Sequence, residues 1–255
     1  MTNSILYAFI LSFLAGISTV IGALIILFNK NKNNKIVVIS LSFAAGVMIC
    51  VSLIDLLPNC YMGILNTTNI FPKIILTLIF VVIGIIISMI IDKYLPDNSL
   101  NKTNNSSLYK IGIISMIAII MHNVPEGIAT FITSSNNIKL GITLTISIAL
   151  HNIPEGISIA VPIYYSTNNK IKAIGYAFLS GMSEVLGSVI AYLFLSKYTN
   201  EHIMAALYAI IAGIMIHISV YELIPGAYKD STLKTVLKYI FIGIVVMLVS
   251  HLIIN

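Results

Sequence analysis

The hexapeptide HNVPEG occupies residues 122–127, inside an otherwise apolar segment, and returns as HNIPEG at 151–156. On a helix His122 and Glu126 are four residues apart and share one face, with Asn123 beside them. His151, Asn152 and Glu155 repeat that face on the next segment. Two imidazoles, two carboxylates and two amide oxygens form a donor set for one divalent ion, or for two that share a carboxylate. Imidazole suits Zn, Fe, Co and Ni, and the oxygen donors admit Mn and Cd-like ions, so the set predicts breadth rather than exclusivity. Pro125 and Pro154 lack an N–H and are expected to kink the backbone, freeing the carbonyls of Met121 and Leu150 from their helical partners. Gly127 and Gly156 let the two backbones approach closely.

Composition says where such helices must sit. The 255 residues are 58% hydrophobic and only 9% charged, with a mean hydropathy of +1.00, which places the chain in a membrane. Eight apolar segments of spanning length are read, roughly 5 to 28, 36 to 58, 71 to 91, 109 to 133, 138 to 163, 171 to 195, 202 to 225 and 233 to 254. They form a single all-α integral membrane domain over 1–255. The opening MTNSILYAFI has no basic region and no cleavage site, so it reads as a retained span. The chain has no arginine. With the N-terminus outside, Lys30, Lys32, Lys35, Lys93, Lys102, Lys110, Lys170, Lys172, Lys229, Lys234 and Lys238 fall inside, against Lys73, Lys139 and Lys197 outside, which predicts that both termini are extracytoplasmic. The net charge of +5 is dispersed over short loops, so it reports topology and not nucleic-acid binding. Cys50 and Cys60 read as packing residues. Residues 92–110, rich in Asn, Ser and Lys, read as a cytoplasmic loop.

Internal similarity adds symmetry. FLAGISTVIG at 13–22 matches FLSGMSEVLG at 178–187 in six of ten positions, and AGVMICVSLIDLLP at 45–58 matches AGIMIHISVYELIP at 212–225 in half. Span 1 pairs with 6, 2 with 7, and 4 with 5. Each pair joins an odd span to an even one, so the partners run in opposite directions: an inverted repeat with a pseudo-two-fold axis in the membrane plane and a midplane site. Asp55, Glu126, Glu155, Glu184 and Glu222 all fall within spans, where each carboxylate costs roughly 2.5 to 3.5 kcal/mol to insert. A bound cation or a water-filled path must relieve that cost. Glu184 breaks the first repeat, where its counterpart is Thr19, and reads as a ligand or supporting base from a third helix. Met48, Ser52 and Asp55 share a helical face, as do Met215, Ser219 and Glu222, which suggests an outer and an inner carboxylate along a transport pathway. His217 lies off that stripe, and His202 and His251 sit near span ends and read as interfacial.

On HNVPEG, HNIPEG and SGMSEVLG, the sequence resembles the ZIP (ZRT/IRT-like protein) family of divalent-metal transporters, and most closely its bacterial zinc-uptake branch. The resemblance implies a binuclear site. His122, Glu126, His151 and Glu155 with Met48 would hold the transported ion; Asn123, Asn152 and Glu184, sharing Glu126 and Glu155, would hold a second. It also implies a three-plus-two-plus-three bundle moving as an elevator, a homodimer, a bacterial inner-membrane location among membrane lipids, and no prosthetic group. The substrates it implies are Zn(II) and related ions: Fe(II), Mn(II), Co(II) and Cd(II). Residues 92–110 hold no histidine, unlike the histidine-rich loop of many members.

Two other readings compete. An intramembrane metallohydrolase could use the same His/Glu set, but HExxH is absent and inverted symmetry gives a hydrolase no advantage. A proton-coupled carrier of an organic solute would need a larger cavity than a metal site.

Overall fold

The computed structural model describes residues 3–28, 34–65, 69–94, 104–195 and 201–254. Among them are eight helices long and apolar enough to cross a membrane: α1 (Asn3–Leu27), α2 (Asn34–Gly63), α3 (Ile70–Lys93), α4 (Leu108–Asn136), α5 (Ile138–Thr167), α6 (Lys170–Phe194), α7 (His202–Tyr228) and α8 (Leu233–Leu252). No strand occurs among the described residues. The protein is a multi-pass, all-α membrane protein. An even number of crossings puts the ends of the described chain on one face, called here the terminal face. The connections after α1, α3, α5 and α7 lie on the other, the loop face. Lys30, Lys32, Lys102 and Lys197, used for the topology expectation, and residues 95–103 of the expected loop lie outside the described residues; the rest of that loop, 92–94 and 104–110, is helical and extends the ends of α3 and α4, so the connection is shorter than the sequence suggested.

Packing sorts the helices into two units. α1, α4, α5 and α6 pack on one another; in the second unit α2 packs on α8, α3 on α7, and α2 meets α7. Contact between the units runs mainly from α2 to α5 and from α4 to α7. α2 is the most buried span, whereas α3 and α8 bury only 17% of their most apolar windows. Their outward Leu, Ile and Phe side chains, such as Phe71, Leu78 and Phe241, have hydrocarbon as their natural solvent.

Glycine crossings reveal the repeat in full. A Cβ on Gly127 (α4) would strike the carbonyl of Glu184 on α6, and one on Gly156 (α5) would strike that of Thr19 on α1. Gly187 meets the carbonyl of Val124, and Gly22 that of Ile153. Gly16 and Gly181 each abut the other's carbonyl. All obey the pairing of α1 with α6 and α4 with α5. The second unit does the same: Gly46 lies on the Ile240 carbonyl and Gly213 on that of Val81, while Gly84 lies on Ile210 and Gly243 on Phe43. This last set pairs α3 with α8, a relation that the sequence barely shows. Without a side chain at each crossing, backbones meet at a distance where Cα–H groups reach carbonyl oxygens.

The helices run on through Pro125 and Pro154 without a break in helical structure. A different irregularity appears in α2 and α7, where Ser52–Leu56 and Ser219–Leu223 form single π-helical turns. Each precedes a proline, Pro58 or Pro225, that enters the first turn of the next α-helical stretch. The wider turn relieves the clash of the ring with the preceding carbonyl and carries α2 to Gly63, beyond the end at 58 expected from the sequence. Ser52 and Ser219 each donate a hydroxyl to the carbonyl four residues back, on Met48 and Met215, both at 2.8 Å.

Gly213→Val should lower the thermal stability of the purified protein by about 1–3 kcal/mol, because the Val81 carbonyl cannot give way. Gly175→Val, where no atom lies within 4 Å, should leave stability nearly unchanged, since valine is slightly the better helix former. Thermal unfolding in detergent measures both.

Candidate metal centre

Helices α4 and α5 cross with their repeated hexapeptides facing one another, held by α1 and α6 behind them. The two asparagines fix the register. Asn123 donates its amide N–H to the carbonyl of Ser180 on α6 (3.2 Å), and Asn152 donates to that of Ala15 on α1 (3.1 Å). Ser180 and Ala15 are themselves repeat equivalents. Each amide is thus oriented by its nitrogen, and Oδ1 of both residues is left buried without a hydrogen-bond partner. A side chain anchored in this way presents oxygen, the atom a cation takes.

Between the asparagines lie the imidazoles and carboxylates, all buried. His151 Nε2 is 3.0 Å from Glu126 Oε1, and His122 Nε2 is 3.2 Å from the same oxygen and 3.7 Å from Glu155 Oε1. The imidazole centroids are 5.8 Å apart. At Zn–N and Zn–O lengths near 2.0–2.2 Å, neighbouring donors of a tetrahedral ion stand about 3.3 Å apart. The observed spacing is that of a ligand shell. His122, Glu126 and His151 offer ligand atoms that all lie within 4.8 Å of one another. Glu126 Oε2, both oxygens of Glu155 and Glu184 Oε1 are buried with no hydrogen-bond partner. Buried polar groups are ordinarily satisfied, so this concentration of orphaned acceptors marks a place for a cation.

Comparison with known proteins agrees with the geometry. The sequence profile described as ZIP Zinc transporter matches residues 97–251. The chain is 38% identical to the zinc transporter ZupT of Clostridium perfringens over 275 residues, covering 98% of this chain and 96% of the relative. It is 38% identical to that of Streptococcus mutans, covering 99% of each, and 36% identical to that of Chlorobium chlorochromatii, again covering 99% of each. The chain belongs to the ZIP family. That is a family of transporters, not enzymes.

In this ZIP chain the symmetry of the centre is broken at one place. Asn152 gives a second hydrogen bond to Glu184 Oε2 (3.1 Å), whereas Asn123 has no such carboxylate, because Thr19 stands at the equivalent position with its hydroxyl buried and unpartnered. Glu184 is fully buried against α4 and α5. Its backbone carbonyl accepts from Ser188 Oγ, which also reaches the Gly127 carbonyl. Met48 is wholly buried in α2, the helix that packs on α5.

The pathway residues divide by face. Asp55 lines a cavity of about 90 Å³ with Asn59, Ser147, Tyr208, Glu126 and His151, so the terminal face reaches the metal centre. Its carboxylate lies 3.0 Å from His251 Nδ1 on α8. Glu222 lines a separate cavity of about 200 Å³ at the loop face with Lys110 and Lys229. Between that cavity and the metal centre lies packed apolar core, including Ile114, Ile159, Ile163, Ile214 and Met215. The π turns rotate Asp55 and Glu222 off the faces of Met48 with Ser52 and Met215 with Ser219 that regular helices would give them. The methionines and serines are wholly buried, while Asp55 is a quarter exposed.

The remaining histidines have structural partners. His217 Nδ1 is 2.9 Å from Ser88 Oγ and its ring stacks on Tyr221, and His202 Nδ1 is 2.9 Å from the Gly63 carbonyl. Cys50 and Cys60 are free and buried. Reading His251 as merely interfacial missed its contact with Asp55. The signal that could have exposed it is the weak α3–α8 repeat, which aligns His251 with Asp92.

Purified protein should gain stability on adding Zn(II), about 2.7 kcal/mol at a hundredfold excess over Kd. Glu126→Gln should keep the fold yet lose most of that gain, because it removes the charge that both imidazoles face. A thermal shift with and without the ion reads the difference.

Proposed function

We propose that this chain carries Zn(II) and, with less discrimination, Fe(II), Mn(II), Co(II) and Cd(II) across a bacterial inner membrane into the cytoplasm. The observation that carries the reading is the cluster of buried, unpartnered nitrogen and oxygen donors between α4 and α5. The terminal face, with the ends of the described chain, is the outside. An ion enters past Asp55 and His251 and meets His151 and Glu126 at the base of the cavity. His122, Glu155 and Met48 complete its shell. A second ion sits beside it on Asn123, Asn152 and Glu184, with Glu126 and Glu155 shared between the two. Ser52, Ser219, Met215 and Glu222 line the continuation to the loop face.

The chemistry is ligand exchange. An ion entering hydrocarbon must shed water, and each water lost must be replaced by a donor already in place. The two anchored amides do this without reorganisation, since their nitrogens are committed to backbone carbonyls. Mixed N and O donors hold borderline ions without the thiolate softness that would trap them. Release requires the apolar core below the site to part, and the unit of α1, α4, α5 and α6 carries nearly the whole ligand set. Motion of that unit against the other, in a protein that forms homodimers, exposes the ion to the loop face as one body.

Liposomes containing the purified chain should take up Zn(II) saturably, and the Glu126→Ala, Glu155→Ala double variant should lose that flux while still inserting. Metal bound by the wild type without flux of any ion would overturn the transport reading. Binding should also release protons, because the ligands must be deprotonated to coordinate, so apparent affinity should weaken as pH falls. A weakly buffered indicator dye reports the protons, and the double variant should release few.

A further inference from the structure

One ion pair ties the two helical units together at the loop face. Lys110 Nζ, near the loop-face end of α4, lies 2.7 Å from Asp92 Oδ1 at the end of α3. Elsewhere α3 and α4 barely touch. Lys110 also lines the cavity that holds Glu222 and Lys229, and Glu222 faces Asp92 and both lysines. Two carboxylates from the second unit thus converge at the loop face, and an ammonium from the metal-bearing unit sits on them.

The inverted repeat supplies its own comparison. The identity between α4 and α5 begins at Lys110 and Lys139, each followed two residues later by glycine. Asp92 is equivalent to His251, and Glu222 to Asp55. Both faces therefore have a lysine at the same place, but on the terminal face the position of Asp92 is an imidazole, His251 is paired with Asp55 inside its own unit, and Lys139 is exposed. The face with the cross-unit pair is the one separated from the metal centre by packed core. The face without it has the cavity that reaches the centre.

We propose that Lys110 is a tethered cation that holds the loop face closed by occupying the Asp92 carboxylate beside Glu222, and that it leaves when that face opens. This deepens the transport reading by naming the group that guards release. While Lys110 is seated, the negative charge at the loop-face cavity is already matched by a cation that cannot diffuse away. Once it withdraws, Asp92 and Glu222 become available to the departing metal ion. A lysine serves better than an arginine only in compactness, so the charge and not the head group is what the clasp requires.

Labelling tests this without needing flux, so failure of the clasp and failure of the transport reading are separable. In a Cys50→Ala, Cys60→Ala background in lipid nanodiscs, Ile114→Cys places a thiol in the packed core one turn above Lys110. Its reaction with a membrane-impermeant maleimide should be slow. Lys110→Met and Asp92→Asn should each accelerate it roughly three- to tenfold, the scale on which a partly buried ion pair biases a two-state equilibrium. Lys110→Arg, and the exchange of Asp92→Lys with Lys110→Asp, should return the rate toward that of the parent. Parental rates in Lys110→Met and Asp92→Asn would overturn the proposal. So would an exchange variant as fast as Lys110→Met, which would show loosened packing and not a lost clasp.

Discussion

Carboxylates that crowd together inside a membrane repel one another with little water to screen them, and this constraint organises the molecule. Glu126, Glu155 and Glu184 are all buried at the meeting of α4, α5 and α6, with two imidazoles and two amides as company. Among the described residues no lysine pairs with them. Burying one uncompensated charge is already costly, and three together call for a bound cation or for protons. Such a cluster can persist only if the surrounding helices hold it by interactions that do not consume its ligand atoms. That is what the structure provides: backbone carbonyls on α1 and α6 take the amide nitrogens, and glycines at every crossing bring those carbonyls within reach.

Close approach explains the division into two units. Helices that meet through glycine are locked at short range, as α1, α4, α5 and α6 are around the ligands. The second unit has its own locked crossings, between α2 and α8 and between α3 and α7. Each unit is closely packed for the same reason. Contacts between the units near the two faces include the Asp92–Lys110 pair, the cavity at Asp55, and Gly226 of α7 against the Ile111 side chain of α4, but among the described residues no glycine-to-carbonyl crossing joins one unit to the other. Backbone-to-backbone crossings within units, and side-chain contacts such as Gly226 on Ile111 between them, are an arrangement in which relative motion would cost least at the boundary.

The candidate ligands and much of the symmetry were legible in the sequence because both rest on local spacing. His122 with Glu126 and His151 with Glu155 share faces by helical period alone, and three of the four repeat pairs could be aligned by eye. What stayed hidden depends on partners with no signature of their own. The carbonyls of Ala15 and Ser180 that orient the asparagines are backbone atoms, which any residue supplies. The π turns at Ser52 and Ser219 arise from prolines downstream, and they alter the phase that a regular helix assigns to Asp55 and Glu222. His251 and Lys110 were legible as residue types, but their roles depend on α8 and α3, the spans whose repeat relation is nearly erased by lipid-facing substitution. Lipid tolerates any apolar side chain, so little beyond the IGI around each crossing glycine, at 83–85 and 242–244, retained the pattern.

Departures from symmetry are as informative as the symmetry. An exact inverted repeat would give its two faces equal energy, and neither opening would be preferred. Here Glu184 answers to Thr19, Asp92 to His251, and His217 to Cys50. The first substitution adds a carboxylate to one side of the metal centre and leaves its mate a hydroxyl. The second turns a site that a lysine can clasp into one where an imidazole pairs with its neighbouring Asp55. Neither change disturbs a glycine crossing, so in the proposed transport cycle the polar substitutions, and not the scaffold, would distinguish the two faces. In this structure the loop face is joined by an ion pair between units, whereas at the terminal face a cavity opens between them, lined by α2 and α7 on one side and by α4 and α5 on the other.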